Sequence, residues 1–285
     1  MLYKDEIPLA TRKELMLDML RFLMKFCNEH NLRVYLAGGT LLGAVRHKGF
    51  IPWDDDVDVM MPFDDWCRLM ELTKNDFLTE KYFFSTLLNN SFHMWPFIKM
   101  INRETILVEP MLNRKLQKAQ EKFYGVYIDI FPMYGLPNDR KRRIDYQNQM
   151  VRLYEKYKKA TRVMNRRPQD NFITYKIRSV LYIVYCLHEK IYGGKKYLKE
   201  MYEMMKTYPL IESEVFGWAT GIARGEKDHI YTNEMDNVCL LEFEGLQFPA
   251  FKNYDLILRN QYGDYMQLPP IEQRHVHPSN VRWRE

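Results

Sequence analysis

Gly38-Gly-Thr-Leu-Leu-Gly-Ala-Val-Arg-His-Lys-Gly-Phe-Ile-Pro-Trp-Asp-Asp-Asp-Val-Asp-Val59 is the stretch from which the fold of this 285-residue chain is read. At its start, Gly38-Gly39-Thr40 follows the short apolar run Arg33-Val-Tyr-Leu-Ala37 and opens a helical pattern over 40–46. The order is strand, glycine turn, helix. At its end, Asp56-Val-Asp-Val-Met-Met61 alternates acid with apolar as a strand does. Strand side chains alternate between faces, so Asp56 and Asp58 project from one face while Val57 and Val59 enter the core. Asp54, Asp55, Asp56 and Asp58 fall within five positions and repel one another unless a cation or basic groups offset them. An acidic surface turn is the plainer reading, but Asp is a poor strand former and two on one face need a reason. Hard oxygen ligands one pleat apart suit Mg²⁺ or Mn²⁺ held against a phosphate. Gly38, Gly39 and Thr40, at a helix start, are candidates to present backbone N–H groups to that phosphate, although a glycine pair alone often serves only backbone geometry. Arg46 and Lys48, between the two elements, are candidates for neutralising phosphate charge.

Outward from this stretch, Thr11-Arg-Lys-Glu14 has capping-box spacing and is followed by apolar residues of helical period, which predicts a helix over 11–30. Pro62 ends the acid-bearing strand before a helix over 64–75, and further strands are expected over 82–86, 97–101, 105–108 and 125–131. In the last of these, Tyr127-Ile-Asp-Ile-Phe131, Asp129 is flanked by apolar residues and would be expensive to bury unless paired or bound to metal. It is a candidate third ligand or general base, or else a structural Asp capping the turn before Pro132. From Asn138 the pattern changes to helices over 138–164, 171–192 and 194–206. A tail follows, with strands near 215–220 and 239–243, a helix near 251–261 and the loop Tyr262-Gly-Asp-Tyr265. The expected fold is α+β, a mixed sheet core flanked by helices with a mainly helical second half. Its divisions are a catalytic core over 1–135, a basic helical region over 136–210, and a C-terminal segment over 211–285 that completes the active site.

Charged residues make up 28% and hydrophobic ones 46% of the chain, the balance of a folded globular protein rather than a disordered one. The net charge of +5 conceals an asymmetry. Between 138 and 167 there are 11 basic and 3 acidic residues, so this segment carries +8 and the remainder −3. Cys27, Cys67, Cys186 and Cys239 lack the close pairing of zinc or redox sites and are expected to be reduced thiols. The start Met1-Leu-Tyr-Lys-Asp-Glu-Ile-Pro8 does not read as an export signal, and the longest apolar run, Val180–Leu187, is far below the roughly 20 residues of a membrane span. A cytoplasmic location is expected, with peripheral association at the inner membrane face through the basic segment.

The quoted stretch resembles the signature of the LicD-type phosphotransferase family, a branch of the nucleotidyltransferase superfamily that also includes the fukutin-related enzymes. Three later segments are similar to the family's further motifs: Lys99-Met-Ile-Asn-Arg-Glu-Thr105, Val126-Tyr-Ile-Asp-Ile-Phe-Pro132, and Tyr262-Gly-Asp-Tyr-Met-Gln-Leu-Pro-Pro270 with Arg274-His-Val-His277. The resemblance implies a nucleotidyltransferase-like core with Asp56, Asp58 and Asp129 as catalytic, metal-holding carboxylates. It also implies transfer of a phospho-alcohol, phosphocholine first among them, from a CDP-alcohol such as CDP-choline to a hydroxyl of a surface glycan precursor, with release of CMP. Lipopolysaccharide, teichoic acid or capsule are the acceptor classes, and a lipid-linked acceptor fits the basic segment. Lys99, Arg103, Arg274, His275 and His277 are then candidates for neutralising the leaving nucleotide, and Trp53, Trp95 and Trp218 for caging a quaternary ammonium.

The same acids would equally serve a nucleotidyltransferase that uses an NTP and releases pyrophosphate. A phosphate-backbone binding module using the +8 segment is a further alternative, although basic residues spread over thirty positions more often form a solvated helix face, which makes nucleic acid the weaker partner.

Overall fold

A computed structural model describes residues 6–75, 80–90, 93, 95–108, 124–161, 194–218, 225–274, 276 and 280–285. The first helix, α1 (Leu9–Glu29), begins directly after Pro8, earlier than the capping-box spacing predicts, because the fixed φ of proline suits a helix entry. Its buried stripe, Met16, Met19, Leu20, Leu23, Phe26 and Cys27, lies on the main sheet.

That sheet has the order β1 (Tyr35–Leu36), β2 (Asp58–Pro62), β6 (Tyr127–Gly135), β4 (Ile98–Asn102), β3 (Tyr82–Ser85). β2 and β6 run parallel and the other pairs antiparallel, so the sheet is mixed and the fold is α+β, as expected. β6 is the central strand. Every residue from Ile128 to Gly135 is buried, and Ile130 accepts a hydrogen bond on its carbonyl from the indole of Trp66 on α3 (Phe63–Leu72), at 3.0 Å.

The acid-bearing strand starts at Asp58 rather than Asp56, and 54–57 precede it outside any strand. The alternation survives the shortening: Val57 and Val59 are buried and Asp56 and Asp58 are half-buried. Gly38–His47 forms α2, two residues longer at its start than the pattern predicts.

In the second half, α4 (Arg140–Thr161) and α5 (Gly194–Met205) pack together. The helix expected over 171–192 lies outside the described residues. The tail holds more strand than the sequence suggests. β7 (Val215–Trp218) extends the main sheet by pairing with the C-terminal end of β6, and β8 (Ile230–Tyr231) pairs with β7. β9 (Val238–Phe243) and β10 (Leu246–Phe251) form a separate hairpin, α6 (Tyr254–Tyr262) follows, and β11 (Asn280–Trp283) pairs with β5 (Thr105–Val108). Cys27, Cys67 and Cys239 are free thiols, as expected.

Candidate active site

Strand register builds the centre of the site. Asp58 on β2 stands directly beside Asp129 on β6, and Asp129 directly opposite Lys99 on β4. Directly paired residues share a sheet face, so the three side chains form one row across three strands. Lys99 and Asp129 are only 3% and 7% exposed, and Nζ lies 2.5 Å from Oδ1. Tyr127, Trp95 and Phe97 surround that ammonium, with ring centroids 3.4, 4.9 and 5.3 Å away. Lys99 is therefore the aromatic-boxed countercharge of Asp129, a role the sequence does not reveal.

The start of α2 closes on this row. Gly38 has φ +50°, and a Cβ there would lie 2.6 Å from Asp58 Oδ2; one on Gly39 would lie 2.8 Å from Asp54 Oδ2. Only glycine permits this approach of carboxylates to the helix N-terminus, whose partial positive charge favours them. Thr40, buried, accepts the Asp58 backbone N–H on Oγ1 at 2.8 Å and so fixes the strand that bears the acid.

The carboxylates raise one another's affinity for protons. Burial first, and the charges of Asp56, Asp129 and Asp54 next, push Asp58 well above the usual carboxylate range. Asp54 is pushed up to about 7 by burial and by the charges of Asp56 and Asp55, against the opposing pull of Lys13. Asp129 is raised to about 6 by burial against the opposing pull of Lys99. Among the described residues, no three His, Cys, Asp or Glu side chains stand arranged to hold a metal ion by themselves. The donor set nevertheless fits Mg²⁺, which commonly takes one or two carboxylates and completes its shell with water and substrate phosphate.

Beside the acids lies a cleft of about 630 Å³ whose walls include Arg46, Trp53, Tyr262, Tyr265 and Arg274. The Arg46 guanidinium donates to the Tyr265 carbonyl at 2.6 Å. That of Arg274 donates to the Pro269 carbonyl at 2.9 Å and stacks 4.8 Å over Trp53. Burial and the neighbouring Arg274 lower the proton affinity of Arg46, while Asp54 opposes them. Two adjacent guanidiniums over an aromatic floor make an anion-binding surface, and the C-terminal loop supplies most of its wall.

The structure thus brings together Gly38, Gly39, Thr40, Asp56, Asp58, Lys99 and Asp129 at the acid row, and Arg46, Trp53 and Arg274 in the cleft. Lys48 is exposed at the C-cap of α2 and does not line the cleft. Arg103 sits in the turn after β4, stacked 5.2 Å over Phe83, about 13 Å along the strand from Lys99 at 3.3 Å per residue. Trp95 belongs to the Lys99 box, and Trp218 is buried edge-on against Phe131, so neither faces the cleft that Trp53 floors. His275 and His277 lie outside the described residues. The sequence marks Tyr265 only as part of the loop and motif that contain it, and Asp54 only as part of the acid run, with no separate role for either. Sequence reasoning missed Lys13 on α1, whose ammonium donates to the Ile51 and Pro52 carbonyls at 2.9 and 3.0 Å. No local signal marks Lys13, because its partners lie 38 and 39 residues away.

Residues 31–167 match the family model described as LicD/FKTN/FKRP, nucleotidyltransferase domain. The chain is 25% identical over 275 residues to the lipopolysaccharide cholinephosphotransferase LicD of Haemophilus influenzae, covering 95% of this chain and 96% of that protein. Uncharacterised proteins of Rickettsia prowazekii and Rickettsia typhi are 41% and 44% identical over 59 residues, 21% of this chain and 21% and 18% of theirs. The acid row and the glycine-led helix both fall within the matched segment, so residues 31–167 are similar to the LicD-type nucleotidyltransferase domain, and the likeness to the Haemophilus protein extends over nearly the whole chain.

Proposed function

We propose that this protein is a metal-dependent phosphotransferase that moves phosphocholine from CDP-choline to a hydroxyl of a lipopolysaccharide-type glycan and releases CMP. The observation that carries the reading is the row of Asp58, Asp129 and boxed Lys99, set against a glycine-led helix start and beside a two-arginine cleft. The name of the Haemophilus relative supports cholinephosphotransfer to lipopolysaccharide. Mg²⁺ or Mn²⁺, held by Asp56 and Asp58 with Asp129 nearby, would supply charge neutralisation to the diphosphate.

The chain's own residues account for the remainder. Arg46 and Arg274 hold the donor's phosphates and the departing CMP, and Trp53 supports the Arg274 guanidinium from below. Lys99 fixes one oxygen of Asp129, leaving Oδ2 to take the proton of the attacking hydroxyl; an affinity for protons near pH 6 suits a general base at neutral pH. Because phosphoryl transfer rests mainly on positioning and electrostatics, these roles suffice without a covalent intermediate. The exposed basic residues of α4 would hold the enzyme near anionic lipid and a lipid-linked acceptor. No helix among the described residues is long and apolar enough to cross a membrane.

The test is incubation with a panel of CDP-alcohols and Mg²⁺, scoring CMP. CMP from CDP-choline supports the reading. Pyrophosphate from an NTP, with no CMP from any CDP-alcohol, selects the nucleotidyltransferase instead.

A further inference from the structure

We infer that Glu244, at the tip of the β9–β10 hairpin, is a positioning residue that clasps the loop carrying Trp53 and the acids. The residues of 48–57 connect α2 to β2, and the backbone of 48–52 is held by contacts from elsewhere in the chain. The Glu244 N–H donates to the Lys48 carbonyl at 2.8 Å, and the Glu244 carboxylate accepts the Phe50 N–H on Oε1 at 2.9 Å. Phe50 packs edge-on to Phe243, the residue before Glu244, with centroids 4.8 Å apart. Lys13 takes the next two carbonyls, and the Asp54 N–H then turns back onto the Ile51 carbonyl at 3.0 Å, so the held segment runs directly into the acid cluster.

Two further features support this assignment. Glu244 and Gly245 have φ of 51° and 74°, forming the two-residue turn that joins Phe243 to Leu246. Such turns favour Asn, Asp or Gly at the first position, and a Glu held in the left-handed region points to a task for its side chain. Gly49 is the complement. A Cβ there would stand 2.2 Å from Glu244 Oε1 and 2.7 Å from its Cδ, so the loop is shaped to receive this carboxylate. The hairpin lies outside the main sheet and packs on α2 and β1, which allows it to act as a separate clip over the loop.

The inference about catalysis rests on the phosphotransferase reading, and its test separates the two. Full-length wild type, Glu244→Ala, Glu244→Gln, Gly49→Ala and the Gly49→Ala/Glu244→Ala double variant are compared. Hydrogen exchange of 48–53 is measured alongside thermal unfolding and the kcat and KM of CMP release from CDP-choline with Mg²⁺. Glu244→Ala is expected to speed exchange of the Phe50 amide roughly tenfold. It should lower kcat about ten- to a hundredfold, from misplacement on the order of 1 Å, with a midpoint close to wild type because the side chain is exposed. Glu244→Gln keeps the oxygen acceptor and should restore both. Gly49→Ala should reproduce Glu244→Ala, and its methyl should have no further effect once the carboxylate is gone. A Gln variant as impaired as the Ala variant, or additive effects in the double variant, overturns the clasp. If wild type releases no CMP, the phosphotransferase reading fails, while the exchange cycle still decides the clasp.

Discussion

Replacing Lys99 by Met removes the ammonium beside Asp129 while keeping a side chain that fills the aromatic box. Both partners are almost fully buried, and removing one member of a buried pair typically costs about 3–5 kcal/mol. The cost should depend on pH, and the sign follows from Asp129. In wild type its folded pKa of about 6 exceeds the unfolded value of about 3.9, so the contribution of Asp129 to stability falls as pH rises between the two and levels off above 6. The Lys99 ammonium pulls that value down, so without it the carboxyl keeps its proton to higher pH, and the decline continues above 6 at up to roughly 1.4 kcal/mol per pH unit. Asp58 loses the same field and moves in the same direction. The penalty of Lys99→Met should therefore grow by roughly 2–3 kcal/mol between pH 6 and pH 8, read by urea unfolding in chelator-containing buffer. Adding Asp129→Asn should largely remove the growth. A penalty that is constant across this range refutes the pairing as described.

Three other outcomes follow from the same geometry. Because Asp54 and Asp58 hold raised proton affinities, protons compete with the metal for them, so added Mg²⁺ should raise the melting temperature more at pH 8 than at pH 5, and differential scanning fluorimetry checks this. Arg46→Ala and Arg274→Ala should each raise the KM for CDP-choline about 10- to 100-fold, the worth of a hydrogen bond to a charged group, in steady-state CMP assays. Co-sedimentation with anionic vesicles should fall as salt rises if the α4 surface meets lipid; binding indifferent to salt and to anionic lipid removes that role.

The readable parts of the site were those set by local periodicity. Alternation in Asp56–Val59 and the apolar flanks of Asp129 mark the acids, because a period of two separates the two faces of a strand within a few residues. Their meeting depends on strand order. Lys99 joins Asp129 only because β4 lies beside β6, and no local pattern encodes that register. Lys99 and Arg103 look like one motif in the sequence, yet strand rise carries Arg103 away to the turn. The glycine pair was legible as a special turn, while the reason for it, carboxylates within 3 Å of any Cβ, emerges only in three dimensions. The hairpin bearing Glu244 was half-concealed: its turn lacks the usual Asn-Gly or Asp-Gly, and Pro249 argues against a strand except at an unpaired edge.

The central claim is phosphotransfer from a CDP-alcohol at the Asp58–Asp129 row. Release of CMP from CDP-choline with Mg²⁺ and lipopolysaccharide, compared between wild type and Asp58→Asn, tests it most directly. Release by wild type, and its loss in a variant that unfolds at the same temperature or higher, is the predicted result. Near wild-type release by Asp58→Asn would contradict the account.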